Sequence, residues 1–434
     1  MKTTTYKKLL IVFIAMGSWL VTNSQQYPDS LSYYLELAAK NNPTILQKYT
    51  EYQASLQKVP QVGSLSDPEL SLGVFLTPME LLSGNQVADI RLMQMFPWFG
   101  VLKSAKDEMG LMANAKFDLF RDARLQVIYD VQRTWFELYK VRKEINISEK
   151  NIEILKTIEN LALVSFRTAS SMQQISTGSA SGNTRLTDIY RIQIEAGDLE
   201  NDIALMQNRQ NTIIAQFNSY LNRSLASPVF TIENLAPDSL GLSLVAVSDS
   251  MLANNPMLGM LKYEELSVAA RKKMVSRMSY PMIGAGLNYS LINKNEMSTS
   301  SMNGRDMIMP MVTVTLPIYR KKYKAMQDEA ELLKRASSQN YQSLSNSLQT
   351  EYYQAVQLFR DAQRRVKLYD NQYQLASKSL DLMLKSFTVS SSGLTDVLRI
   401  RQQTLDYELK QVEAVADFNT AIAWLIRLGD LEIN

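Results

Sequence analysis

The chain has 434 residues, 46 Lys and Arg against 43 Asp and Glu, and neither histidine nor cysteine. Without those two residue types a Ser-His-Asp or Cys-His catalytic unit, a His/Cys zinc site and a disulfide framework are excluded. The net charge of +3 is carried by Lys2, Lys7 and Lys8, so the chain beyond residue 24 is neutral and poorly suited to nucleic-acid phosphates.

Those three lysines precede an apolar run from Leu9 to Val21 and the small polar residues Thr22, Asn23 and Ser24. This order predicts a secretory signal peptide over residues 1–24. The run is too short to favour the alternative, an uncleaved membrane anchor, and the lack of cysteine excludes a lipoprotein anchor. No later stretch reaches about 18 apolar residues, so the mature chain is expected to carry no transmembrane helix.

Two repeats follow, expected at 25–228 and 229–434. All twelve prolines lie at 28–97 or 228–317, leaving two long proline-free stretches that suit helices. Asn41-Asn42-Pro43 recurs as Asn254-Asn255-Pro256, Ser165-Phe166 as Ser386-Phe387, and Leu186-Thr187-Asp188-Ile189 as Leu394-Thr395-Asp396-Val397. Self-similarity in fixed order marks a duplicated unit. The matches drift where the second copy is longer, near 292–307, and where the first is longer, near 170–185.

Each copy begins with a short helix, expected at Ser30–Gln57 and Asp249–Arg277. Two strands come next. They are expected near 69–77 and 88–96 in the first copy and near 282–291 and 307–316 in the second. Leu70, Leu72 and Val74 alternate with Ser71 and Gly73, and Ile283, Ala285, Leu287 and Tyr289 alternate with Gly284, Gly286 and Asn288. Period-two alternation over about nine residues suits a membrane barrel strand. The loops, Pro78–Val87 and Asn293–Asp306, are polar and contain glycine. A soluble hairpin packed on helices is the plainer alternative.

A long helix follows in each copy, Gly100–Phe166 and Tyr319–Phe387, each about 100 Å if continuous. In the second, Leu348, Tyr352, Ala355, Phe359, Ala362, Val366, Tyr369, Tyr373, Ala376, Leu380, Met383 and Phe387 fall alternately four and three residues apart. That is a coiled-coil seam. Final helices, Leu186–Asn222 and Leu394–Leu428, complete each copy, so two short helices end to end can pair with one long one. The fold expected is mainly α with a small β-barrel portion. Four strands cannot close a barrel, and lipid tolerates no unpaired edge, so several copies must associate.

Several residues then resemble a known family. Leu316-Pro317-Ile318-Tyr319 resembles the second strand-to-helix junction of the TolC-like outer membrane efflux proteins. Phe387, Gly393 and Thr395-Asp396-Val397-Leu398 resemble their periplasmic tip turn. Phe96-Pro97-Trp98-Phe99-Gly100 is similar to the junction of the heavy-metal efflux branch. The resemblance spans about residues 30–430. It implies a homotrimer with a twelve-stranded barrel in the outer membrane and an α-helical periplasmic tunnel. It also implies an adaptor protein at the tip and an inner-membrane pump beyond it. The chain departs from the family in Arg320-Lys321-Lys322 after the second junction, in Arg399 where a second acid is common, and in the serine-rich stretch 176–182.

The function so implied is passive conduction, with no cofactor and no reaction. Asp188 and Asp396 are candidate gate residues, since a ring of acids selects cations; helix capping is their plainer role. Arg191 and Arg399 are candidate closed-state partners. Phe166, Thr187, Phe387, Gly393 and Thr395 are the candidate docking tip. Pro97, Trp98, Pro317 and Tyr319 mark the junctions, where Trp98 serves as an interfacial anchor or as packing. Met307, Met309 and Met311 share one strand face, and thioethers suit Cu(I) or Ag(I), although methionine also fills apolar gaps. The competing class is a trimeric structural or adhesive coiled coil without a channel. A periplasmic adaptor would need a further β module, and an enzyme would need a nucleophile-base pair or phosphate loop.

Overall fold

The computed structural model describes residues 31–431 apart from 173–179, 239, 242 and 389–392. The expected signal peptide lies outside the described residues. One series of elements occurs twice. The first is α1 (Leu31–Asn41), α2 (Pro43–Gly63), β1 (Glu69–Leu81), β2 (Gly84–Phe96), α3 (Val101–Met172) and α4 (Ala180–Tyr220). The second is α5 (Leu244–Asn254), α6 (Pro256–Met278), β3 (Met282–Asn293), β4 (Met307–Thr315), α7 (Arg320–Thr388) and α8 (Leu394–Gly429).

The opening helix of each copy is broken in two, against the expectation of one continuous helix. The repeated Asn-Pro explains the break. Proline cannot donate the helical N–H but fits the first helical position, and asparagine before it caps the new helix. Asn42 Oδ1 accepts from the N–H groups of Thr44 and Ile45, while its Nδ2 donates to the Tyr220 carbonyl at 2.8 Å, the last residue of α4. Asn255 Oδ1 accepts from Met257 N–H, and its Nδ2 donates to the Leu428 carbonyl in the last turn of α8. One buried amide thus serves orphan donors at one helix start and an orphan carbonyl at another helix end. Asn42→Ala or Asn255→Ala is expected to cost about 2–4 kcal/mol, a lost cap plus a stranded carbonyl. Asn42→Asp keeps the cap and should recover part of that in denaturant unfolding followed by circular dichroism.

α3 has 72 residues and α7 has 69, each a rod of a little over 100 Å. α2 and then α4 pack along α3, while α6 and then α8 pack between α3 and α7. The heptad seam of α7 faces α8: Ala355 and Ala362 are fully buried, and Phe359 stacks on Phe418 at 5.1 Å. Alanines at these positions let the two backbones approach closely. Residues 221–238 run as a strap across α3 and α8. Its backbone would be costly to bury unpaired, and core side chains satisfy it. Trp135 Nε1 donates to the Phe230 carbonyl and Arg142 to the Val229 carbonyl. The Phe230 and Leu235 N–H groups donate to the hydroxyls of Tyr34 and Tyr139. No helix among the described residues is long and apolar enough to cross a membrane.

The strands form one antiparallel sheet in the order β1-β2-β3-β4, leaving β1 and β4 as edges. β1 and β2 run further than expected, through much of the segment anticipated as the loop Pro78–Val87. A register shift between Val74 and Met79 takes up Pro78, which has no N–H for the ladder. Each edge strand carries a proline, Pro78 or Pro310, a common guard against unwanted pairing.

Candidate functional site

The sheet separates two chemistries. Leu70, Leu72, Val74, Ile90, Leu92, Ile283, Leu287, Ile308, Val312 and Val314 project from one face, all exposed. Register places them together: Leu72 opposite Ile90, Ile90 opposite Tyr289, Tyr289 opposite Ile308. The other face carries Ser71, Asp89, Arg91, Asn288, Ser290, Thr313 and Thr315. There Gly284, Asn288 and Ser290 are buried within a single chain, which makes this the concave side. An apolar convex face and a polar concave face are the arrangement of a barrel wall between lipid and water.

The sheet meets the helices at a joint built from both copies. Gly100, with φ +83°, turns the chain from β2 into α3, a conformation glycine adopts without a side-chain clash. Arg277 at the end of α6 donates to the Gly100 carbonyl at 2.9 Å and to Ser104 Oγ. Trp98 stacks on Tyr280 with ring centroids 5.2 Å apart. Pro97 and Trp98 are half-buried, Pro317 likewise, and Phe99, Ile318 and Tyr319 are exposed. Packing and an exposed aromatic fringe therefore coexist here. Arg277 and Tyr280 carry no local sequence signal beyond their place just before Pro281.

At the far end α4 and α8 lie against the ends of α3 and α7. Leu394, Val397 and Leu398 are buried with Leu155, Ile158, Ile192 and Leu380, and Phe387 packs on the edge of that cluster. Gly393 is the N-cap of α8 and offers no side-chain bond. Asp396 therefore lies in the first turn rather than at the cap. It favours the helix dipole and accepts from Arg399 at 2.7 Å. The corresponding Asp188 is a little over two turns beyond Ala180, because α4 starts before the serine-rich stretch ends, so helix-start capping does not apply to it. The side chains of Asp188 and Phe166 lie outside the described residues, and Thr187 is exposed on α4.

Among the described residues, two side-chain hydrogen bonds also join the copies at this end. Arg191 donates to Thr395 Oγ1 at 3.2 Å, so its partner is a hydroxyl of the other repeat. Arg401, absent from the sequence expectations, is buried on α8 and donates to Glu195 on α4 at 2.8 Å. Its Nε and Nη1 have no acceptor among the described residues. Burial lowers the Arg401 pKa and the Glu195 charge opposes that shift.

Burial raises five carboxyls in the helical shaft, Glu108, Asp118, Asp122, Glu144 and Glu408. For Asp122 the Arg427 charge opposes the rise, for Glu144 Lys140 does, and for Glu408 Lys150 does. An acid raised in the folded state binds more protons there than when unfolded, so stability falls as pH climbs. The fall begins near about pH 4, where unfolded carboxyls titrate, and continues through the raised values. Glu408→Gln is expected to flatten this slope and raise the neutral-pH melting temperature, read by thermal scans across pH.

A scan against protein-family models gives no match, and a search of curated proteins gives none. Solved structures do match. CusC, described in connection with folding and transmembrane channel formation, superposes with a TM-score of 0.74 at 13% identity, covering 92% of this chain and 91% of CusC. The Campylobacter jejuni outer membrane channel CmeC gives 0.70 at 13% identity, covering 93% and 86%. The Vibrio cholerae outer membrane protein VceC gives 0.70 at 14% identity, covering 92% and 96%. The long helix pairs, the four-stranded sheet and their order are thus shared over nearly the whole chain, and the chain has the fold of bacterial outer membrane channels.

Proposed function

We propose that this chain is the exit duct of a tripartite efflux system. It would sit in the outer membrane of a Gram-negative bacterium and reach into the periplasm. As a homotrimer it would carry substrates passively from an inner-membrane pump and a periplasmic adaptor to the exterior. The observation that carries this reading is the open sheet: an apolar convex face, a polar concave face and two free edges. In lipid such edges must be paired, and β4 of one copy can pair with β1 of the next, antiparallel like every other pair. The helices support the same head-to-tail closure. Leu368, Leu375 and Leu382 form an exposed heptad stripe on α7, and Tyr190, Ile194 and Leu205 are exposed on α4 at the opposite edge. A fibrous adhesive coiled coil would need no apolar sheet face. Reconstitution in a planar bilayer tests the proposal. Small, cation-selective conductances are expected, with selectivity weakened by Asp188→Ala combined with Asp396→Ala. An oligomer that conducts nothing would overturn it.

A further inference from the structure

The concave face of the sheet is largely polar; apart from Phe75 and Ile292 towards the loop end, its apolar side chains are methionines. Of the chain's 22 methionines, seven lie in the four strands, and six of these point to the concave side: Met93, Met95, Met282, Met307, Met309 and Met311. Met307 and Met309 are nearly half exposed on the face that would be wet, so burial there contributes little, while Met93, Met95 and Met311 are half-buried.

Register gathers three of them around two glycines of β3. Met95 is opposite Gly284, and Met93 is opposite Gly286, whose other neighbour is Met311. A Cβ at Gly284 would lie 2.6 Å from Met95 Sδ and 3.3 Å from Met93 Sδ. One at Gly286 would lie 3.0 Å from Met93 Sδ. Two sulfurs therefore converge in a trough that exists because β3 has no side chain there. With strands about 4.8 Å apart, Met93 and Met311 stand about 10 Å apart across Gly286, a gap two thioether chains can bridge.

We propose that this trough is a binding site for soft monovalent cations, Cu(I) or Ag(I), ligated by Met93, Met95 and Met311. Thioethers are neutral, soft ligands that suit these ions and discriminate against hard alkali or alkaline-earth cations. Neutral ligands leave the ion's charge uncompensated, which keeps binding reversible. As a station on a conduction path the site rests on the exit-duct reading; as a binding site it does not.

The test uses the assembled full chain in detergent, in chloride-free nitrate buffer, titrated with Ag⁺ by calorimetry. Saturable binding is expected. Met93→Leu combined with Met95→Leu and Met311→Leu, close in volume, should weaken it at least tenfold, while Met297→Leu in the β3–β4 loop should not. Gly284→Ala is an independent check that keeps every methionine: its Cβ would displace both sulfurs and weaken Ag⁺ binding. Unchanged affinity in the triple variant or in Gly284→Ala would overturn the site, as would equal competition by Mg²⁺. Ag⁺ binding by a protein that conducts nothing in a bilayer would support the site and overturn the duct.

Discussion

Replacing Glu195 with alanine is expected to destabilise the helical tip by about 3–5 kcal/mol, the cost of stranding a buried charge. Arg401 is buried, and among the described residues two of its three nitrogens lack an acceptor and Glu195 is its ion-pair partner. The contact joins α4 of the first repeat to α8 of the second, and its loss frees the two helices to separate. In the exit-duct reading that separation widens the narrow end. Single-channel conductance should rise, and amide exchange should accelerate over 186–200 and 394–404. The double change Glu195→Leu with Arg401→Leu separates the two roles. A buried ion pair replaced by apolar groups is often neutral or stabilising, so stability should recover. Conductance should follow whichever state the repacked tip favours. If Glu195→Ala leaves both exchange and conductance unchanged, the pair does not hold the tip.

Leu72→Arg should block membrane assembly, whereas Ser71→Arg, one residue away, should be tolerated. The side chain of Leu72 is among the most exposed on the convex face. An arginine facing lipid near mid-bilayer costs about 2–4 kcal/mol per chain, and a closed oligomer meets that cost once in every copy. Ser71 points to the concave face, opposite Arg91, where charge stays in water. A one-residue step along a strand reverses the face, so the pair is an internal control for the assignment of sides. Membrane fractionation and the heat-stable oligomer band on gels read the difference. Equal behaviour of the two variants would mean that the sheet does not divide lipid from water.

Much of this architecture was legible because it rests on periodicity. The four-and-three spacing along α7 identified a seam that is indeed buried against α8. Alternation located the cores of all four strands, since both periods follow directly from backbone geometry. What was missed depends on partners distant in sequence. The kinks at Asn42 and Asn255 had a visible signal, Asn followed by Pro. Its repetition marks the duplication, and each pair is also a cap followed by a first-turn proline. The true ends of β1 and β2 were hidden because Pro78 argues against a strand until a bulge absorbs it.

The candidate site was less legible than the fold. Asp188 and Asp396 align in sequence, yet they differ in helical position because α4 begins well before the aligned motif. Arg401 and Glu195 carry no local mark; their significance appears only when α4 and α8 are adjacent. Met93 and Met95 had the same two-residue spacing as Met307, Met309 and Met311. That they share a face with them follows only from the pairing of β2 with β3 and of β3 with β4.

Head-to-tail pairing of β1 with β4 between copies is expected to close the sheet. The chain has no cysteine, so one can be placed on each edge strand without background. Ser71→Cys with Thr313→Cys, both on the concave side, treated with a short bis-maleimide in membranes, should give a ladder on denaturing gels that stops at three chains. Monomer alone, or a ladder of ever larger species, would contradict closure.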